Sequence, residues 1–97
     1  MYTTGMWMTK KGKGEEFARR WQENVDRMAL EHPGVTFRLL RDTDDARNFV
    51  SIAGPWRGAE DWERVRHTPA FQETLAAVQE TLESSEIRSY ELVAEIS

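Results

Sequence analysis

Residues Arg47 to Phe71 read RNFVSIAGPWRGAEDWERVRHTPAF, and this stretch decides the fold. It opens as a strand, because Phe49, Val50, Ile52 and Ala53 put apolar groups on both faces of an alternating chain. Gly54 and Pro55 end that strand, since proline has no amide to give a central ladder. Trp56 stands at the strand's end, and Trp62 follows on a short helix over residues 58–66. His67, Thr68 and Pro69 break this helix, with Pro69 suited to the first turn of the next one. A strand end, two tryptophans, a histidine and a helix start fall together here, so this segment is expected to line a pocket.

Upstream, residues 2–9 read as a strand in which Met6 and Met8 alternate with Gly5, Trp7 and Thr9. Residues 15–30 read as a helix with one apolar stripe of Phe17, Trp21, Val25 and Met28, and with Glu15 and Glu16 favourably placed in its first turn. His32, Pro33 and Gly34 end it. The second strand covers residues 35–41, with Val35, Phe37 and Leu39 on one face and Arg38 and Leu40 on the other. An acidic turn over 42–46 leads into the third strand, 47–55. Downstream, Phe71, Leu75, Val78 and Leu82 predict a helix over 69–83; a turn over 84–86 precedes a last strand over 87–96.

The resulting order is β-α-β-β-α-β with the second helix split. This is the α+β, ferredoxin-like arrangement of an antiparallel sheet with helices on one face. Period-two counting puts Val50 and Ile52 on the side of Trp56, under the helices, and Phe49 and Ala53 on the opposite side. Both strand faces are apolar, so the second face needs a cover that one copy lacks. A homodimer packed through that sheet face is the expected solution.

At 97 residues the chain is one domain, 1–97. Its net charge of −4 argues against nucleic acid and against an anionic membrane surface as partners. It has no cysteine, hence no disulfide, thiolate metal site or cysteine nucleophile. The start has no basic segment followed by an apolar run, and no stretch reaches the ~18 apolar residues of a membrane-spanning helix. A cytoplasmic protein is the expectation. Asp42, Asp44 and Asp45 lack the spacing and terminal glutamate of a calcium loop, and the Lys10–Gly14 loop lacks a phosphate-loop pattern.

The order Trp56, Arg57-Gly58-Ala59-Glu60, an aromatic at 62, then Thr68-Pro69-Ala70-Phe71 resembles the antibiotic biosynthesis monooxygenase family of dimeric α+β barrels. Gly12 and Gly14 before Glu16-Phe17, and Pro33-Gly34 before the second strand, extend the resemblance over nearly the whole chain. It implies a homodimer with an apolar pocket in each subunit. The cofactor-free, quinone-forming branch resembles this chain at Trp56; its asparagine four residues earlier and tyrosine six later are replaced by Ile52 and Trp62. The haem-degrading branch has an asparagine in the first strand, absent here, and its tryptophan and histidine places hold Val65 and Leu75, so no haem ligand remains.

The expected function is therefore cofactor-independent monooxygenation of a polycyclic phenol or quinol; the alternative is a non-enzymatic dimeric module that binds a similar apolar aromatic molecule. Trp56 is the candidate to present an indole N–H to a substrate oxygen, and His67 the candidate general base. Trp62, Ile52, Phe71 and Val65 are the candidate substrate-binding residues. No metal is expected, because the two histidines lack ligand spacing, and no haem or flavin either.

Overall fold

A computed structural model describes residues 1–97. The elements are β1 (Tyr2–Thr9), α1 (Gly14–Ala29), β2 (Thr36–Arg41), β3 (Asn48–Gly54), α2 (Ala59–Val65), α3 (Pro69–Gln79) and β4 (Leu82–Tyr90). The four strands form one sheet in the order β2-β3-β1-β4, every neighbouring pair antiparallel. This is the ferredoxin-like α+β arrangement, with the second helical segment split into α2 and α3.

Local chemistry sets the helix ends. Pro33-Gly34 follows α1, and Gly34 takes φ 95°, a conformation open to glycine at little cost. Thr68 caps α3: its side-chain oxygen accepts from the Phe71 amide at 3.3 Å, and Pro69 occupies the first turn where no amide is needed. Arg20 joins the two long helices, donating to the Ala77 carbonyl at 2.9 Å while holding Glu16 at 3.0 Å.

The core lies between the sheet and the α1 and α3 helices. Trp7, Phe17, Phe49 and Val78 are its buried centre, flanked by Ala18, Trp21, Leu39, Leu75 and Leu82. The Phe17 ring stands 5.6 Å from that of Trp7 and 5.0 Å from that of Phe49. On β1, Thr3, Gly5, Trp7 and Thr9 all turn toward the helices and are buried. In the ladder Gly5 faces Ser51 and Trp7 faces Phe49.

This register corrects the expected faces of β3. Phe49, Ser51 and Ala53 belong to the helix side, and Val50 and Ile52 to the other. Alternation alone cannot distinguish two apolar faces; the deciding factor is volume, since Trp7 and Phe49 together fill the space beneath Phe17. Trp56 does reach the helix side, but not by alternation. β3 ends at Gly54, the Gly54–Pro55 peptide is cis, and Trp56 lies beyond the strand.

The end of the chain also differs from expectation. α3 stops at Gln79, Leu82 opens β4, and residues 84–86 pair with β1 instead of turning. The misreading has a cause in the register, which shifts between Met8 and Thr9: Leu82 faces Thr9 while Ser84 faces Met8. Glu83 is the extra residue of this bulge, so Leu82 and Ile87 both turn inward although an odd number of positions separates them. Residues 91–97 form no regular element, and Leu92, Val93 and Ile96 are exposed.

On the sheet's outer face, Met6, Leu40 and Tyr90 are about half exposed, with Tyr2, Met8, Val50 and Ile52 partly buried around them. The acidic turn is held by Asp42, whose carboxylate accepts from the Asp44 and Asp45 amides at 2.8 and 3.3 Å. No helix is long and apolar enough to cross a membrane.

Candidate functional site

A cavity of about 60 Å³ opens between the sheet and the helices. Its floor is made by small side chains, Thr3 and Gly5 of β1 with Ser51 and Ala53 of β3. Trp21, Val25 and Met28 of α1 form one wall; Phe71, Thr74, Leu75 and Val78 of α3 form another. Trp56, Trp62, Phe37 and Ile87 complete the lining. A site needs roughly 10–15 Å³ of such space for one water, so this one has room for several waters or little more than a single ring.

The aromatic side chains form a continuous array. Trp56 meets Phe37 edge-on with centroids 5.9 Å apart, Trp62 at 5.4 Å, and the His32 ring at 5.3 Å. Trp62 in turn meets Phe71 edge-on at 5.3 Å. These separations fall in the favourable range for aromatic pairs, and such an array makes flat, slightly polarised walls.

The polar groups of the floor are few and specific. The Trp56 indole N–H, fully buried, donates to Thr3 Oγ1 at 3.1 Å. The Trp7 indole N–H donates to Ser51 Oγ at 2.9 Å. Gly5 makes room for the second of these bonds: a Cβ at that position would lie 2.5 Å from Trp7 Cζ2 and 2.6 Å from Ser51 Oγ. None of the cavity-lining side chains is ionisable, and no cluster of His, Cys, Asp or Glu able to hold a metal ion exists in the chain.

The sequence-predicted site residues divide. Trp56, Trp62, Phe71 and Ile52 border the cavity together, although Ile52 and its ladder partner Thr4 belong to the sheet's other face by register. Val65 is buried but lies outside the lining. His67 is exposed, its Nε2 3.1 Å from the Glu63 carboxylate. It lies in an outer groove with Arg66 and Arg88, and that groove meets the cavity across Trp62, Phe71, Leu75 and Ile87. His32, read from sequence only as a helix terminus, packs its ring on Trp56, and its buried Nε2 has no hydrogen-bond partner. Neither of the two groups with displaced pKa values lines the cavity. Lys13 lowers that of Glu16, with Arg20 contributing less, and Glu86 raises that of Arg88.

Thr3, Gly5 and Ser51 escaped the sequence reading. The available signal was parity with Trp7: once Trp7 is known to face the helices, Thr3 and Gly5 must do so as well.

A split ferredoxin-like domain with an aromatic-walled, uncharged cavity between sheet and helices defines the class of protein. The model of the antibiotic biosynthesis monooxygenase family matches residues 1–77, and the chain belongs to that family. Solved structures agree on the fold. A Nitrosomonas europaea protein whose name carries this family is 21% identical, with a TM-score of 0.77 over 92% of this chain and 86% of its own. A Caulobacter crescentus protein, also named for the family, is 15% identical with a TM-score of 0.82, covering 96% of this chain and 89% of its own. PA3566 from Pseudomonas aeruginosa is 22% identical with a TM-score of 0.74, covering 95% and 93%. No match was found among curated proteins.

Proposed function

We propose that the chain is a homodimeric monooxygenase that takes a flat, mainly apolar phenol or quinol into the cavity and oxidises it with dioxygen, without a metal or an organic cofactor. The observation that carries this is the aromatic-walled, non-ionisable cavity in a member of this family. For a phenol with a free para position the balance is simple. The substrate loses its O–H and ring C–H hydrogens and becomes a quinone. One oxygen atom of O₂ becomes the new carbonyl and the other leaves as water, so the substrate supplies all four electrons. The protein's residues supply a dry, shaped site and hydrogen-bond donors. Trp62 and Phe71, half-buried between cavity and outer groove, are the side chains that would move to admit more than one ring.

The second reading, a binding module without turnover, is favoured by one observation: no side chain in the lining can act as a base. Under either reading the outer sheet face, with Met6, Leu40 and Tyr90 exposed, is the surface through which two copies pair.

The test is aerobic incubation with 1-naphthol and 1,5-dihydroxynaphthalene, following O₂ with an electrode and quinone by absorbance. Protein-dependent O₂ uptake with one quinone formed per O₂ supports the monooxygenase. Saturable binding without O₂ uptake supports the module, and absence of both refutes the cavity as the site.

A further inference from the structure

Six threonine and serine hydroxyls are held within this fold close to its core, and they fall into two groups. Those of Thr9, Thr68, Thr74 and Thr81 each donate to a main-chain carbonyl: Arg47, Val65, Ala70 and Val78 respectively. Their hydrogens are spent locally, as is usual for buried hydroxyls. Thr3 and Ser51 behave otherwise. Each accepts from an indole N–H, Thr3 from Trp56 and Ser51 from Trp7, and neither donates to any group of the chain. Both line the cavity, and Thr3 is only 4% exposed.

A hydroxyl is one donor and up to two acceptors. An indole N–H is a donor only, so each pair leaves one hydrogen unassigned, that of the hydroxyl. A hydroxyl that already accepts a hydrogen bond is polarised toward donating one, because successive bonds in a chain strengthen each other. The two hydroxyls sit on adjacent strands, two register positions apart on the same face, since Thr3 faces Ala53 and Gly5 faces Ser51. With no ionisable group in the lining, these two hydroxyls are the polar contacts the floor can offer.

We infer that Thr3 and Ser51 are ligand-positioning residues, donating their hydroxyl hydrogens to an acceptor oxygen, a carbonyl or phenolic oxygen, on an uncharged flat ring. Trp56 and Trp7 act one bond behind them: the indoles fix the hydroxyl oxygens and do not meet the ligand oxygen with their N–H groups. This rests on the cavity being the binding site, as proposed above. It moves the polar contact from Trp56 to Thr3, and it makes the site select for an acceptor.

The test uses 1-indanone and indane, which share a ring frame and differ in one carbonyl, titrated into the full chain while the four Trp indole N–H resonances are followed by NMR. The expected result is 1-indanone binding about tenfold more tightly than indane, the effect of roughly one hydrogen bond. The Trp56 or Trp7 indole N–H should move downfield with 1-indanone alone, as its acceptor becomes polarised. Trp56→Phe should retain the preference, because Thr3 remains. Thr3→Val in the Trp56→Phe background, which leaves no orphaned N–H, should reduce it, and adding Ser51→Ala together with Trp7→Phe, so that no indole N–H is freed there either, should abolish it. Equal binding of the two probes by the unaltered chain overturns this inference and leaves the cavity reading standing. Full retention of the preference in this quadruple variant also overturns it. Absence of any indole shift with either probe overturns both.

Discussion

Gly5→Ala adds one methyl group at the centre of β1, and its consequence follows from three distances. The new Cβ would stand 2.5 Å from Trp7 Cζ2, 2.6 Å from Trp7 Cε2 and 2.6 Å from Ser51 Oγ. Carbon atoms in contact prefer about 3.5–4.0 Å, so the indole must move by about an ångström or the strands must part. Strands β3 and β4 flank β1 on both sides, which leaves the ring as the mobile partner. Trp7 is only 6% exposed and packs on Phe17, so its displacement strains the core as well. Overpacking of this kind costs about 1–3 kcal/mol. Loss of the Trp7–Ser51 hydrogen bond adds about 0.5–1.5 kcal/mol. Against this, alanine is better than glycine in a strand interior by about 0.5–1 kcal/mol. The net expectation is a loss of about 1–3 kcal/mol. For a domain of this size each kcal/mol shifts Tm by roughly 4–8 °C, so a fall of about 5–20 °C is expected. Urea unfolding followed by tryptophan fluorescence gives the free energy, and the Trp7 indole N–H resonance reports the hydrogen bond. A variant as stable as the parent, with that resonance unmoved, would refute the geometry of the floor.

Further substitutions separate the two faces of the sheet and the helix ends. Phe49→Ala should cost about 3–5 kcal/mol in urea unfolding, because its ring is buried beneath Phe17. Met6→Asp, on the half-exposed outer face, should leave each copy folded while light scattering shows the proposed dimer dissociating; a mass unchanged from that of the parent protein would exclude this face as the seam. Thr68→Ala removes the oxygen that accepts the Phe71 amide and should lower stability by about 1 kcal/mol, which an unshifted urea midpoint would contradict. Glu16 gives a pH signature. Lys13 chiefly, and then Arg20, hold its carboxyl below its usual value of 4.5, so its stabilising effect is present above that value and is lost as pH falls through the lowered one. Glu16→Gln should therefore flatten the acid limb of the stability curve below that value, with equal limbs in both proteins telling against it.

The fold was legible because its signals are local and redundant. The stripe of Phe17, Trp21, Val25 and Met28 specifies α1, and Thr68-Pro69 announces α3. The boundaries that failed are those where two patterns overlap. Leu82 lies four residues after Val78 and continues the helical stripe, yet it pairs with Thr9 in the sheet. The bulge at Glu83 then conceals the alternation that would have shown a strand. The lining of the candidate site was half legible. Large aromatic groups mark a cavity from sequence, as Trp56, Trp62 and Phe71 did. Its floor consists of Thr3, Gly5 and Ser51, whose residue types carry no signal of their own. Their importance arises only when the register sets Gly5 opposite Ser51 and brings both under Trp7.

The walls of the cavity contain no side chain that gains or loses a proton. The lining itself therefore brings no titration to the bound state; the nearest histidines are His32 behind Trp56 and His67 in the adjoining groove, and the measurement is made in a variant that lacks both. A pH dependence of affinity, measured over the range where stability is flat, would then belong to the ligand. The midpoint of such a curve would be an acidity constant of the molecule that the cell places there. A compound that binds best as a neutral phenol would lose affinity above its own pKa, whereas a ketone would show a level line. Titration across pH thus reads the chemical character of the natural ligand before its structure is known.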